Sequence, residues 1–138
     1  MQILRIALDI PLYGFFDYRA QVDMNVSRDD IGRRVRVPFG TKSRIGVLVE
    51  LPESSEVSEH QLKDVEAILH DLAPLPADWF RVCEFCANYY QAPLGEVMLS
   101  TLPAGLRRLD GEFGQLLAVF HMLVQPQLQR RAHKAADQ

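Results

Sequence analysis

The chain has 138 residues, 48% of them hydrophobic, and carries a formal net charge of −3 with a pI near 5.8. That composition supports a single core and one ordinary domain, and its acidic balance argues against broad electrostatic adhesion to nucleic acid, so any such site must be local. No run approaches the roughly 20 apolar residues of a membrane span, and the opening MQILRIALDI lacks the features of a signal peptide, so the expectation is a cytoplasmic protein with no membrane partner.

Ile3, Ile6, Leu8 and Ile10 stand among polar or small neighbours and predict a first strand, which Pro11 ends. A Pro/Gly loop follows, with Tyr13, Phe15, Phe16 and Tyr18, and enters a second extended segment. Phe15 and Tyr18 fit as core anchors, but Asp17 between two aromatics is harder to account for by packing. Residues 27–32 read as a turn into the stretch 33–50, RRVRVPFGTKSRIGVLVE, which has the pattern of a hairpin. Arg34, Val35, Arg36 and Val37 alternate, so one face can be buried while the other carries guanidinium groups into solvent. Pro38 and Gly40 bracket Phe39 at a corner that has no N–H donor at the proline and no Cβ at the glycine, so another molecule can lie close to that backbone.

Charge is segregated along the chain. Arg28, Arg33, Arg34, Arg36, Lys42 and Arg44 cluster against Asp29 and Asp30, whereas residues 50–66 are mostly acidic. Charge alone favours a solvated sheet face slightly over a binding patch. Residues 52–59 are rich in serine and glutamate and read as a mobile surface loop. Residues 62–69 fit a helix through Leu62, Val65, Ile68 and Leu69, or a strand through Val65, Ala67 and Leu69, and a strand returning to the sheet is preferred.

From Pro76 the period becomes helical. Trp79, Phe80, Cys83, Cys86, Ala87 and Tyr90 are expected to bury one stripe. Pro93-Leu94-Gly95 breaks that helix, and residues 96–102 form a second one that stops before Pro103. Residues 109–124 read as a separate amphipathic helix, with Phe113, Leu116, Leu117, Phe120 and Leu123 on one side and a polar, disordered tail behind it. The expected class is α+β: a small antiparallel sheet or open β-barrel followed by two or three short helices. The domain runs over 1–106, with 107–138 a helical appendage or the start of a next domain.

Cys83 and Cys86 form a CxxC pair, but His60, His70, His121 and His133 offer no second pair at suitable spacing, so small core residues are the better reading and no metal is expected. The chain contains no GxxxxGK[ST], GxGxxG or GxSxG. Nothing cradles a nucleotide or presents a nucleophile, so neither catalytic residues nor a cofactor are expected.

Five pieces in order carry a family resemblance: Ile6-Ala7-Leu8 with Pro11-Leu12; Phe16-Asp17-Tyr18; Gly32-x-Arg34-Val35-x-Val37-Pro38-Phe39-Gly40; Gly46-Val47 with Leu62-Lys63; and Tyr89-Tyr90-x-x-Pro93-Leu94-Gly95 with Leu102-Pro103. Across residues 3–106 the chain resembles the N-terminal 3′-DNA-binding domain of the PriA replication-restart helicases, also called primosomal protein N′. The resemblance implies a module that captures the 3′ end of the nascent leading strand at a stalled fork and targets the helicase for primosome assembly. DNA, as 3′ ends, forks or single strands, would be the partner, together with single-strand-binding protein and other primosome proteins. By position, the end-binding residues would be Phe16, Asp17, Tyr18, Gly40 and Lys63.

Physical chemistry supports that assignment. Phe16 offers a stacking face, Gly40 allows close backbone approach and Lys63 supplies a donor. Asp17 can accept a hydrogen bond from a free 3′-hydroxyl or a base N–H while repelling the phosphate that follows an internal nucleotide. Arg34, Arg36, Lys42 and Arg44 would add phosphate contacts that steer without specifying. The family's winged helix, helicase lobes and zinc insert have no counterpart among these residues, so ATPase, unwinding and zinc binding are not implied. A reading of another class makes 16–18 and 37–40 a docking groove for a protein partner such as the tail of single-strand-binding protein.

Overall fold

A computed structural model describes residues 1–107. The predicted helix over 109–124 and the tail behind it lie outside the described residues. Five strands, β1 (Ile3–Ala7), β2 (Phe16–Arg19), β3 (Arg34–Phe39), β4 (Lys42–Glu50) and β5 (Ala67–Ile68), form one antiparallel sheet in the order β2-β1-β4-β3-β5. Two helices follow, α1 (Ala77–Tyr90) and α2 (Leu94–Ser100), giving the α+β class.

Residues 63–69 lace the two sides of the sheet together. Arg19 N donates to Lys63 O (2.8 Å) and Val65 N to Arg19 O (2.9 Å) on the β2 edge, while Glu66 N and Leu69 N donate to Arg36 O and Arg34 O (both 2.9 Å) on β3. The sheet is thereby curled towards closure as a small barrel. This segment is extended, as the strand reading has it, because its backbone donors go to two different strands.

Alternation along the strands sorts side chains into two cores. Leu4, Ile6, Val35, Val37 and Leu48 point into the barrel with Tyr18 and Val65. Ala7 and Val47 point the other way, where Cys83 of α1, Met98 and Leu99 of α2, and Leu102 and Leu106 cover them. Gly95 lets α2 rest its backbone on the chain leaving β1, since a Cβ there would strike the Leu8 carbonyl oxygen.

Three expectations need correction. The α1 stripe is narrower than predicted: Cys83 and Ala87 are buried, but Tyr90 is 73% exposed, because the helix ends there and the chain turns away at Gln91 in the left-handed region (φ 52°). Leu94 and Gly95 do not break a helix; Pro93 caps α2 and both residues lie inside it, which runs to Ser100. Arg34 and Arg36 alternate outwards as expected, but at Arg34 the outer face is covered and the residue is only 5% exposed. Among the described residues no helix is long and apolar enough to cross a membrane.

Candidate nucleic-acid interface

The site begins with a row across three strands. Arg5 of β1 stands opposite Asp17 of β2 on one side and Glu50 of β4 on the other. The second pairing depends on a register shift: Ile6 faces Leu48 but Arg5 faces Glu50, so Val49 is bulged out of the ladder. Arg5 Nε and Nη2 donate to Asp17 Oδ1 and Oδ2 at 2.9 and 3.3 Å, and Nη1 donates to Glu50 Oε2 at 3.1 Å.

Asp17 receives one more bond, from Ser55 Oγ to Oδ2 at 2.5 Å. Burial pushes the Asp17 carboxyl up, but the hydrogen bonds from Arg5 and Ser55 outweigh it and hold the group below the usual carboxylate range. Asp17 is therefore charged at neutral pH, and it is fixed in position.

Around this row lies a cleft of about 930 Å³, lined by Phe16 and Asp17 of β2, Phe39 and Gly40 at the hairpin corner, Lys63, and the loop 52–57. The rings of Phe16 and Phe39 meet edge to face with centroids 5.6 Å apart. Gly40 occupies the tight turn between β3 and β4 with φ of 61°, which glycine adopts without strain, and a Cβ there would meet nothing within 4 Å. Gly40 itself lines the cleft. The charged lining comprises Arg5 and Lys63 against Asp17, Glu50, Glu53 and Glu56. Such an acid-rich lining disfavours phosphate and suits a ligand presenting hydroxyl or amine donors.

Phe16, Asp17, Gly40 and Lys63 thus line one cleft. Tyr18 lines it from beneath: it is 5% exposed, its hydroxyl donates to Pro38 O at 2.9 Å, and burial pushes its phenol up to about 12. It joins β2 to the hairpin corner.

The four cations expected to steer phosphate separate. Lys42 and Arg44 are exposed beside the corner, with the Arg44 guanidinium 5.4 Å over the Phe39 ring. Arg36 is half-buried and 3.8 Å from Glu66 Oε2. Arg34 corrects the expectation outright: its Nη2 bonds both Asp71 oxygens (2.8 and 2.6 Å) and its Nη1 donates to Leu106 O (3.1 Å), so it ties the segment after β5 and the end of the helical layer to the sheet.

Arg5, Glu50 and Ser55 escaped sequence reasoning. Arg5 had a signal, since it sits between Leu4 and Ile6 and must face away from them. Ser55 had none, because nothing in a serine- and glutamate-rich loop marks the serine that folds back on an aspartate.

Comparison with known proteins gives consistent matches. The family model of the PriA 3′DNA-binding domain (3′BD) matches residues 5–103. The replication restart protein PriA of Haemophilus influenzae is 43% identical over 111 residues, which cover 78% of this chain and 14% of that protein. Proteins of the same name from the Buchnera aphidicola subspecies of Schizaphis graminum and Acyrthosiphon pisum are 26% identical over 115 and 103 residues, covering 79% and 75% of this chain and 15% and 14% of theirs. The chain therefore spans only about one seventh of the length of these relatives.

Proposed function

Because the chain belongs to the PriA 3′-DNA-binding-domain family, we propose that it binds the free 3′-hydroxyl end of a DNA strand in the cleft between β2 and the β3–β4 corner. The observation that carries this reading is Asp17, an acceptor held charged by Arg5 in a cleft walled by Phe16 and Phe39. The terminal base stacks on Phe16, a contact worth about 1–3 kcal/mol in single-strand binders. The 3′-hydroxyl or a base N–H donates to Asp17, the sugar lies against the Gly40 backbone, and Lys63 reaches the last phosphate. An internal nucleotide lacks the hydroxyl and brings another phosphate to an acid-lined cleft, so ends are selected over continuous strand.

In the cell the module delivers the replication-restart helicase to nascent leading strands at stalled forks, ahead of primosome assembly. It acts by binding, with no catalysis of its own. The competing idea of a peptide groove from 16–18 and 37–40 has less support, because Tyr18 and Val37 are buried.

Binding of the chain to short DNA ending in 3′-hydroxyl or 3′-phosphate, with Asp17→Ala and Phe16→Ala alongside, tests the reading. Hydroxyl ends bind tighter in the parent chain, and Asp17→Ala erases the difference. Equal affinity for both ends in the parent chain overturns the proposal.

A further inference from the structure

Asp17 has no idle oxygen. Oδ1 accepts from Arg5 Nε and Oδ2 from both Arg5 Nη2 and Ser55 Oγ, while the side chain as a whole is 9% exposed. Oδ2 already accepts two bonds, which fills both of its lone pairs, so a ligand that donates to Oδ2 must displace one of its present partners. Arg5 is ill suited to leave: it belongs to a central strand and is held from its far side by Glu50. Ser55 is on the loop 52–57, and among the described residues no backbone hydrogen bond ties that loop to the sheet. The loop's polar ties are those of Ser55 itself, which donates to Asp17 and accepts from Val57 N at 3.1 Å.

We infer that Ser55 is a placeholder for the strand's terminal hydroxyl, and that DNA enters by exchanging one hydroxyl for the other on Asp17. The inference rests on the end-binding reading above and adds a competitor residue to it. A serine hydroxyl and a sugar hydroxyl have the same inventory, one donor and two lone pairs, so the exchange keeps Asp17 satisfied throughout. It also alters the electrostatics. Glu53 and Glu56 flank Ser55 and line the same cleft, so when the serine leaves, two carboxylates leave with it and the cleft becomes less hostile to a phosphate chain. The closed loop keeps donor-poor anions out, and a hydroxyl end opens it.

Titration of Ser55→Ala with single-stranded DNA ending in 3′-hydroxyl provides the test. Removing the competitor raises affinity by about three- to tenfold, the worth of one net hydrogen bond, and the gain vanishes in an Asp17→Ala background. Ser55→Thr, which keeps the hydroxyl, matches the parent. Hydrogen exchange gives a second readout: the amides of residues 53–57 exchange faster in free Ser55→Ala, and faster in the parent chain once the DNA is added. Unchanged or weaker binding by Ser55→Ala, or protection of the loop by DNA, overturns the placeholder role. If the parent chain still prefers 3′-hydroxyl over 3′-phosphate ends, only Ser55's part fails; if that preference is missing, the end-binding reading fails first.

Discussion

Arg5 and Asp17 face each other directly across the β1–β2 ladder, and the guanidinium closes on the carboxylate through two hydrogen bonds of 2.9 and 3.3 Å. Antiparallel pairing alone brings the two side chains within reach, so the acceptor of the cleft is oriented by the sheet and not by a loop. A binding group on a rigid ladder loses little freedom when a ligand arrives.

Arg5→Ala leaves Asp17 largely buried without its counter-charge. The variant is expected to lose about 1–3 kcal/mol of stability, the range for hydrogen bonds to a charged group, below that of a fully buried ion pair because Arg5 is partly exposed. It should also bind 3′-hydroxyl DNA more weakly, since an unsupported carboxylate takes up a proton or turns away. Urea unfolding and an anisotropy titration check the two effects, and full retention of both overturns the positioning role.

The depressed Asp17 carboxyl gives the acid limb a definite sign. A group whose folded pKa lies below its unfolded value of about 3.9 stabilises the fold fully above that value and loses its contribution as pH falls through the lower, folded one. The stability gap between the parent chain and Asp17→Asn should be flat at neutral pH and shrink below about pH 4. Urea midpoints over a pH series measure this, and a gap that stays constant into acid rules out the linkage.

Tyr18 gives the opposite limb. Its phenol is buried and pushed up to about 12, against about 10 in an unfolded chain, so its contribution is complete below pH 10 and fades as pH rises towards 12. Ultraviolet titration should show a phenolate step near pH 12 that is missing from Tyr18→Phe. That variant also leaves Pro38 O without its donor, which costs about 0.5–1.5 kcal/mol and loosens the hairpin corner from β2.

Sequence patterning reached the barrel and missed its outer coverings, for a physical reason. Period-two alternation says which side chains leave the interior, and Val35, Val37, Arg34 and Arg36 obey it. It does not say whether water or another layer waits on the far side, and at Arg34 it is Asp71 and the Leu106 carbonyl. The charge blocks misled similarly: acids of 50–66 fold back on scattered arginines, Glu50 on Arg5 and Asp64 on Arg19, so the chain's segregation is partly cancelled in space. Within the site, Phe16, Asp17, Gly40 and Lys63 could be named through the family pattern, whereas Arg5 and Ser55 emerge only from register and loop geometry.

The split among the four hairpin cations yields the last prediction. Lys42 and Arg44 are exposed beside the cleft, where a strand entering past Phe39 would run, so each neutralisation should lower the slope of log affinity against log salt by about one. Arg34 sits 5% exposed, with Nη2 on both Asp71 oxygens and Nη1 on the Leu106 carbonyl, and has no path to a phosphate without unfolding the segment it anchors. Arg34→Gln removes the charge together with the contacts to Asp71 and the Leu106 carbonyl, so it should destabilise the fold while leaving the salt slope at the parent value. Lys42→Ala and Arg44→Ala should do the reverse, lowering the slope with stability within about 0.5 kcal/mol of the parent. Salt titrations of DNA binding run beside urea unfolding separate the two classes. A reduced slope in Arg34→Gln at full stability would return that arginine to the DNA-facing set.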